Sequence, residues 1–238
     1  MNVVITGANS GLGLGFVRHY LDQGDEVWGC YRSNPGGLSD IESSSLHTVC
    51  WDVSSDAAPQ GKLPDSIDLL INNAGIYGPG KDGQSLSKIT SESMLEVFNV
   101  DCVGPLRVVR RLTDHVIAAK GVIANISSKM GSTSDNGSGG TYAYRAAKAG
   151  LVIVSKSMAV DLAPAGVHVI TLHPGWVATD MTNQTGLIDI ETSVAGMSQM
   201  IKQARNFSPG QFVAFDGKVR SEERRVGKEC RSRWSPNH

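Results

Sequence analysis

Aromatic residues are few, 6% of 238, and charge is close to balanced, with 22 Lys and Arg against 23 Asp and Glu. Near-neutrality removes the electrostatic case for a nucleic-acid or anionic-membrane partner. Cysteine is scarce as well: Cys30, Cys50, Cys102 and Cys230 stand apart, without Cys-x-x-Cys spacing. That scatter argues against a metal ribbon or a disulfide framework and fits a reducing compartment. No apolar run approaches the ~18 residues that a membrane helix needs. The first strand pattern starts at Asn2, which leaves no room for a signal peptide. The expectation is a soluble cytoplasmic protein with no metal. What the chain has in quantity is glycine, 27 residues, with 40% hydrophobic content, enough for a full α/β core with tight strand-to-helix turns.

Asn2-Val-Val-Ile-Thr6 is a β-branched run that passes at once into Gly7-Ala-Asn-Ser-Gly11-Leu-Gly13 and then an amphipathic segment to about Gln23. A strand, a glycine-rich turn and a helix together point backbone N–H groups and a helix N-terminus at a phosphate. Gly7, Asn9, Ser10, Gly11, Leu12 and Gly13 are therefore candidate cofactor-binding residues; simple punctuation before a helix is the alternative. The spacing is Gly-x-x-x-Gly-x-Gly rather than Gly-x-Gly-x-x-Gly. Further strands are expected at 26–31, 46–51, 67–71, 121–126, 166–173 and 211–215. Their alternation with helical patterns predicts a single doubly wound parallel α/β sheet of about seven strands, with ligands at the strands' C-terminal ends.

Several polar residues fall at those ends. After the second strand comes Arg32 and no acid, so NADP, whose 2′-phosphate an arginine can pair with, is favoured over NAD, which remains possible. A solvated strand-end charge is the other reading of Arg32. Asp52, followed by Val53, can bond an adenine amine or cap the turn that follows. Asn72-Asn73-Ala74-Gly75 closes the fourth strand where the sheet should meet a cofactor. A long helical pattern runs from about Ser91 to Ala119 with Pro105 inside it. Lacking an N–H for the Asp101 carbonyl, Pro105 predicts a kink near Asn99. The fifth strand delivers Ser127 and Ser128, followed by a Ser/Gly-rich surface loop over 129–141.

The next helical run contains Tyr144-Arg-Ala-Ala-Lys148. Positions i and i+4 share a helix face, so the phenol and the ammonium can address one ligand. Bringing a tyrosine from about 10 to near 7 takes roughly 4 kcal/mol of preferential phenolate stabilisation, at about 1.4 kcal/mol per unit. A fixed neighbouring cation supplies it, and Lys148 is in position to do so. Alone, Tyr-x-x-x-Lys is a common accident on helix surfaces; with the preceding motifs, Ser128, Tyr144 and Lys148 converge on one crevice.

Thr6-Gly7-x-x-x-Gly11-x-Gly13, Asn72-Asn73-Ala74-Gly75, Asn99, Ser128, Tyr144-x-x-x-Lys148 and Pro174-Gly175, in that order, resemble the short-chain dehydrogenase/reductase family. The likeness covers residues 2 to about 218 and is similar in tone to the carbonyl-reductase-like branch that includes the bacterial C-factor and insect sniffer proteins. It implies a Rossmann-type fold and hydride exchange between a nicotinamide and a carbonyl or alcohol. Tyr144 would be the general acid and base; Lys148 would lower its pKa and bond the nicotinamide ribose. Ser128 would hold the substrate oxygen, and Asn99 would anchor a relay water through its kinked backbone. Pro174, Gly175, Val177 and Thr179 would meet the nicotinamide and phosphates. The interval from Ser128 to Tyr144 is sixteen, longer than in many members, so Ser127 stays open as the active hydroxyl.

The resemblance also implies a homodimer or homotetramer joined through the long helices at 91–119 and 141–163. Residues 182 to about 205, a mixture of Met, Leu, Ile and Thr, would form a substrate lid and a following helix, with a fairly apolar pocket. Arg220 to His238 carries six Lys and Arg against three Glu. It resembles a stray translated run, and the domain is expected to end near 218. Two functions stand: an NADP(H)-dependent carbonyl reductase or alcohol dehydrogenase, and a regulatory protein that binds dinucleotide with little turnover.

Overall fold

The computed structural model describes residues 1–220. In strand β1 (Asn2–Thr6), Val3, Val4 and Ile5 are fully buried. Such a continuous apolar run is what a parallel strand needs when helices cover both faces of its sheet. β1 pairs with β2 (Glu26–Tyr31) on one side and β4 (Leu69–Asn72) on the other. β3 (Leu46–Cys50) lies beyond β2, while β5 (Val122–Ile126), β6 (His168–His173) and β7 (Phe212–Ala214) continue beyond β4. The eight-stranded order is β3-β2-β1-β4-β5-β6-β7-β8, parallel except for β8 (Val219–Arg220), which runs antiparallel to β7. Because the chain steps outward from β1 to β3 and then returns to β4, a crevice opens at the carboxyl ends of β1 and β4.

The last strand adds to the expected sheet. Val219 pairs with Val213, and Arg220 forms a 2.9 Å ion pair with Asp135, so residues 219 and 220 belong to the sheet. The rest of the basic segment, from residue 221, lies outside the described residues.

Two helical layers cover the sheet. On one face, α1 (Gly11–Asp22) and α6 (Ile190–Lys202) bring Phe16, Val17, Val194 and Met197 against Val3, Ile5 and Ile71. On the other, α4 (Gly104–Ala119) and α5 (Tyr142–Leu162) bring Val108, Leu112, Val116 and Met158 against Val4, Leu70, Ile123 and Val169. Each such side chain stabilises the fold by about 1.5–3 kcal/mol through burial. The smaller α2 (Gly80–Gly83) and α3 (Ser91–Phe98) precede α4. Among the described residues no helix is long and apolar enough to cross a membrane, and no group of three or more His, Cys, Asp or Glu is placed to hold a metal.

The predicted kink has a definite form. Between α3 and α4, Asn99–Val103 makes a π-helical turn in which the Gly104 N–H reaches back to the Asn99 carbonyl. Pro105 cannot donate to Asp101, so the ladder slips by one residue instead of breaking. That slip changes which side chain of the turn faces α5.

Candidate active site

The glycine turn closes because it has no side chains. Gly7 and Gly11 adopt left-handed φ of 63° and 52°. A Cβ on Gly7 would stand 2.7 Å from the Ala74 Cα, and one on Gly13 2.0 Å from the Gly7 carbonyl oxygen; neither fits. Above Gly11 the nearest atom to such a Cβ is Thr179 Cγ2 at 3.9 Å, so space remains there. Ser10 puts no side-chain cap on α1, and the first-turn amides that a helix cannot satisfy itself are left for an anion. This cradle fits the pyrophosphate of a dinucleotide. Two of the expected residues sit behind the turn: the Asn9 carbonyl accepts from the Gly37 N–H at 3.0 Å, and Leu12 packs on the core.

The segment after β4 latches that turn. Thr6 Oγ1 accepts from the N–H groups of Asn73 and Ala74, both at 3.1 Å. Asn73 Nδ2 donates to the carbonyls of Thr6 and Gly7 at 3.1 and 3.0 Å. Its side chain therefore fixes the backbone that a cofactor would meet. Asn72 donates to Asn125 at 2.8 Å, and Asn125 to Ser155 at 2.8 Å, a buried polar relay across β4, β5 and α5. Asn125 and Ser155 carry no motif and went unmarked in the sequence.

At the end of β2, Arg32 is exposed. Asp52 Oδ1 accepts from the Ser54 N–H and hydroxyl at 2.9 and 2.7 Å, the turn-capping reading of that residue. Burial opposes its ionisation, but the Ser54 bonds, Arg32 and Arg107 outweigh it and hold the carboxyl below its ordinary range. The Val53 carbonyl accepts from Arg107 at 3.1 Å. Across the crevice, the Pro174 carbonyl accepts from Ser193 at 2.6 Å, while buried Val177 bridges to Ile188. The Thr179 N–H donates to Thr182 Oγ1 at 3.0 Å. Gly175, at φ 90°, leaves no room for a Cβ, which would lie 2.7 Å from Ile188 Cδ1.

On α5 the Lys148 Nζ lies 5.5 Å from the centroid of the Tyr144 ring, which it faces. Ser127 is buried and donates to the Lys148 carbonyl at 3.0 Å. Ser128 is more open; its Oγ accepts from the Met130 N–H at 3.2 Å and stands near enough to the Tyr144 phenol to favour the phenolate. Of the two serines, Ser127 has its hydroxyl committed to the α5 backbone, and Ser128 is the more open. Burial, helped by Asp101, holds the Tyr144 phenol above its ordinary value; Lys148 and Ser128 pull it down without reversing this, so the neighbouring cation does not by itself bring the phenol toward neutrality as the spacing led one to expect.

Lys148 is buried, and two groups fix it. Its Nζ donates to the Ile126 carbonyl at 3.1 Å and pairs with Asp101 Oδ2 at 3.1 Å. Asp101 is fully buried, and its Oδ1 accepts from the Ile76 N–H at 2.7 Å. Burial would pull the ammonium down, but Asp101 and Tyr144 outweigh it and hold Lys148 above its ordinary range. Close packing makes the pair possible: a Cβ on Gly150 would meet the Phe98 ring at 2.9 Å, and one on Gly75 would stand 3.2 Å from Asp101 Oδ2.

Asn99 does not occupy the place expected of it. Its Nδ2 donates to the Ser54 carbonyl at 2.9 Å, and its Oδ1 accepts from Arg107 at 2.7 Å. Its backbone carbonyl closes the π turn and also receives Arg107 at 3.5 Å. The residue that faces Lys148 is Asp101, two positions further along the π turn. Gln84 also escaped notice. Fully buried, it donates to the Tyr77 carbonyl at 2.6 Å and accepts from the Tyr144 N–H at 3.0 Å. It does the work of an N-cap, since Thr141, at φ 53°, provides no side-chain cap to α5.

The short chain dehydrogenase family matches residues 1–187. C-signal of Myxococcus xanthus is 36% identical over 152 residues, 63% of this chain and 90% of that protein. The 3-oxoacyl-(acyl-carrier-protein) reductase FabG of Chlamydia pneumoniae is 32% identical over 197 residues, 76% of this chain and 75% of that protein. Among solved structures, the carbonyl reductase Sniffer of D. melanogaster superposes with a TM-score of 0.82 at 28% identity, covering 92% of this chain and 98% of that one. The NADPH-bound carbonyl reductase from chicken fatty liver gives 0.81 at 28% identity, with coverage of 92% and 98%. Fold and sequence agree, and the chain belongs to the short-chain dehydrogenase family of oxidoreductases.

Proposed function

We propose that the chain is a cytoplasmic, NADP(H)-dependent oxidoreductase that interconverts a small-molecule carbonyl and alcohol, with Tyr144 as the general acid and base. The observation that carries this reading is the Lys148 ammonium held 5.5 Å from the Tyr144 ring centroid, with Ser128 beside the phenol. The bound dinucleotide would supply hydride. Gly7, Gly11 and Gly13 would receive its pyrophosphate at the α1 N-terminus, and Arg32 would pair with a 2′-phosphate. Likeness to the NADPH-bound chicken carbonyl reductase supports that choice over NAD.

For the chain's own residues, the division of labour is simple. Ser128 donates to the substrate oxygen and holds it against the phenol. Tyr144 delivers the proton as that oxygen gains charge, and takes it back in the reverse direction. Lys148 favours the phenolate that remains. The exposed Trp176, Met181 and Leu187, in the segments around the Pro174 turn and the lid, favour an apolar substrate. Exposed Leu95, Ile153 and Val160 on α3 and α5 support self-association through those helices.

The test is NADPH oxidation against a panel of aldehydes, ketones and quinones. Tyr144→Phe should keep NADPH binding and lose turnover by about 10²–10⁴-fold, the range of general acid catalysis; undiminished turnover would overturn the assignment. The likeness to C-signal favours a second reading, a regulatory protein that binds dinucleotide with little turnover. In that case wild type and Tyr144→Phe would match in biological output.

A further inference from the structure

Asp101 comes from the π turn, Lys148 from α5 and Ile76 from the segment after β4, and all three meet at one buried point. The Asp101 carboxylate receives the Ile76 N–H on one oxygen at 2.7 Å and faces the Lys148 ammonium with the other at 3.1 Å. Burial holds the Asp101 carboxyl above its ordinary range, and the Lys148 ammonium and the Ile76 N–H pull it back toward the ionised form. A buried ion pair with this geometry is costly to assemble and rarely improves stability, so its place beside the phenol calls for a role in the chemistry.

We propose that Asp101 is a positioning residue for the reaction: its carboxylate clamps the Lys148 ammonium beside Tyr144 and, by offsetting that charge, sets the pH at which the phenol ionises. Lys148 must be charged to help the phenolate, and Asp101, whose charge opposes it, pushes the phenol in the other direction. The groups facing the phenol are Lys148 on α5, Asp101 on the π turn, Ser128 after β5 and Tyr77 after β4; those facing Lys148 are Asp101, Tyr144 and Cys102. Of these, Asp101 alone is an acid with an ordinary pKa below neutrality. Gly75, which lies against both members of the pair, leaves them the room to meet.

This inference rests on the Tyr144 chemistry proposed above, and the test separates the two. Asp101→Asn keeps an acceptor for the Ile76 N–H and removes the charge. In wild type and variant, kcat/KM for NADPH-dependent carbonyl reduction is followed against pH. Tyrosinate absorbance is titrated in parallel without substrate, as the difference from the matching Tyr144→Phe protein. Both the alkaline limb and the titration should move down by about one unit in the variant. A titration that stays put or moves up overturns the proposal, and a purely structural Asp101 would lower kcat without moving the limb. If the wild type fails to turn over any carbonyl while the titration still moves, the reductase reading falls and this one stands. Should Asp101→Asn not fold, the ¹³C shift of the Asp101 carboxyl in the unaltered protein decides: ionised at pH 7 supports the clamp, and protonated overturns it.

Discussion

The two halves of the crevice are built in opposite ways. The half toward β1 is shaped by missing side chains: Gly7, Gly11 and Gly13 let backbone meet backbone, with Asn73 as latch. The half toward α5 is shaped by buried polar side chains, Asp101, Lys148 and Gln84, each fixed by partners from other elements. The first half admits no added atom at Gly7 or Gly13. The second is closely packed too, at Gly75 and Gly150, and is sensitive to charge besides.

Experiments that separate the halves run from the largest effect to the smallest. After Tyr144→Phe, the greatest loss is expected from Gly13→Ala, whose Cβ would press 2.0 Å from the Gly7 carbonyl and 2.6 Å from Asn73 Nδ2. Overpacking against backbone costs about 3 kcal/mol or more; a urea midpoint within error of wild type would refute the steric picture.

His173, at the end of β6, tests the charge-sensitive half. Its Nδ1 takes the Lys129 N–H at 3.4 Å, beneath the turn that carries Ser128. Burial, then Arg220 and Lys129, push its pKa down to about 4. The folded imidazole is therefore neutral, and the unfolded chain binds the proton first. That stability is fully present above about 6.5 and is lost as pH falls toward 4, up to about 3 kcal/mol in all. Denaturant unfolding of His173→Gln should lack that slope; a slope equal to wild type would remove His173 from the account.

Arg32→Ala should weaken NADPH by roughly tenfold, near the lower end for a charge-assisted contact, and leave NADH nearly unchanged. Equal loss of both in a fluorescence titration would end the NADP preference. The smallest effect belongs to Thr141, a β-branched residue at φ 53°. Thr141→Gly should raise the melting temperature slightly, relief of about 1 kcal/mol or less; a clear loss would mean that the hydroxyl near Tyr77 matters more than the strain.

Legibility followed the same division. The glycine turn, the continuous apolar strands and the Tyr144–Lys148 pair are local patterns, and the sequence declares them within a few residues. Pro105 even predicted the kink at Asn99. Which residue the kink turns inward was not readable, because α-helical spacing fails inside a π turn, and Asp101 took the place expected of Asn99. Gln84 lies sixty positions from the amide it caps, in a loop with no periodicity to interpret. β8 was hidden because two residues at the edge of a basic run give no strand pattern.

The Gln84 amide has a further consequence. One end grips the Tyr77 carbonyl and the other the first turn of α5, so the segment after β4 and the helix that carries Tyr144 are tied by a single side chain. Any substitution that shifts Tyr77 is therefore felt at the start of α5, and any that shifts α5 is felt at Tyr77, with one amide as the link.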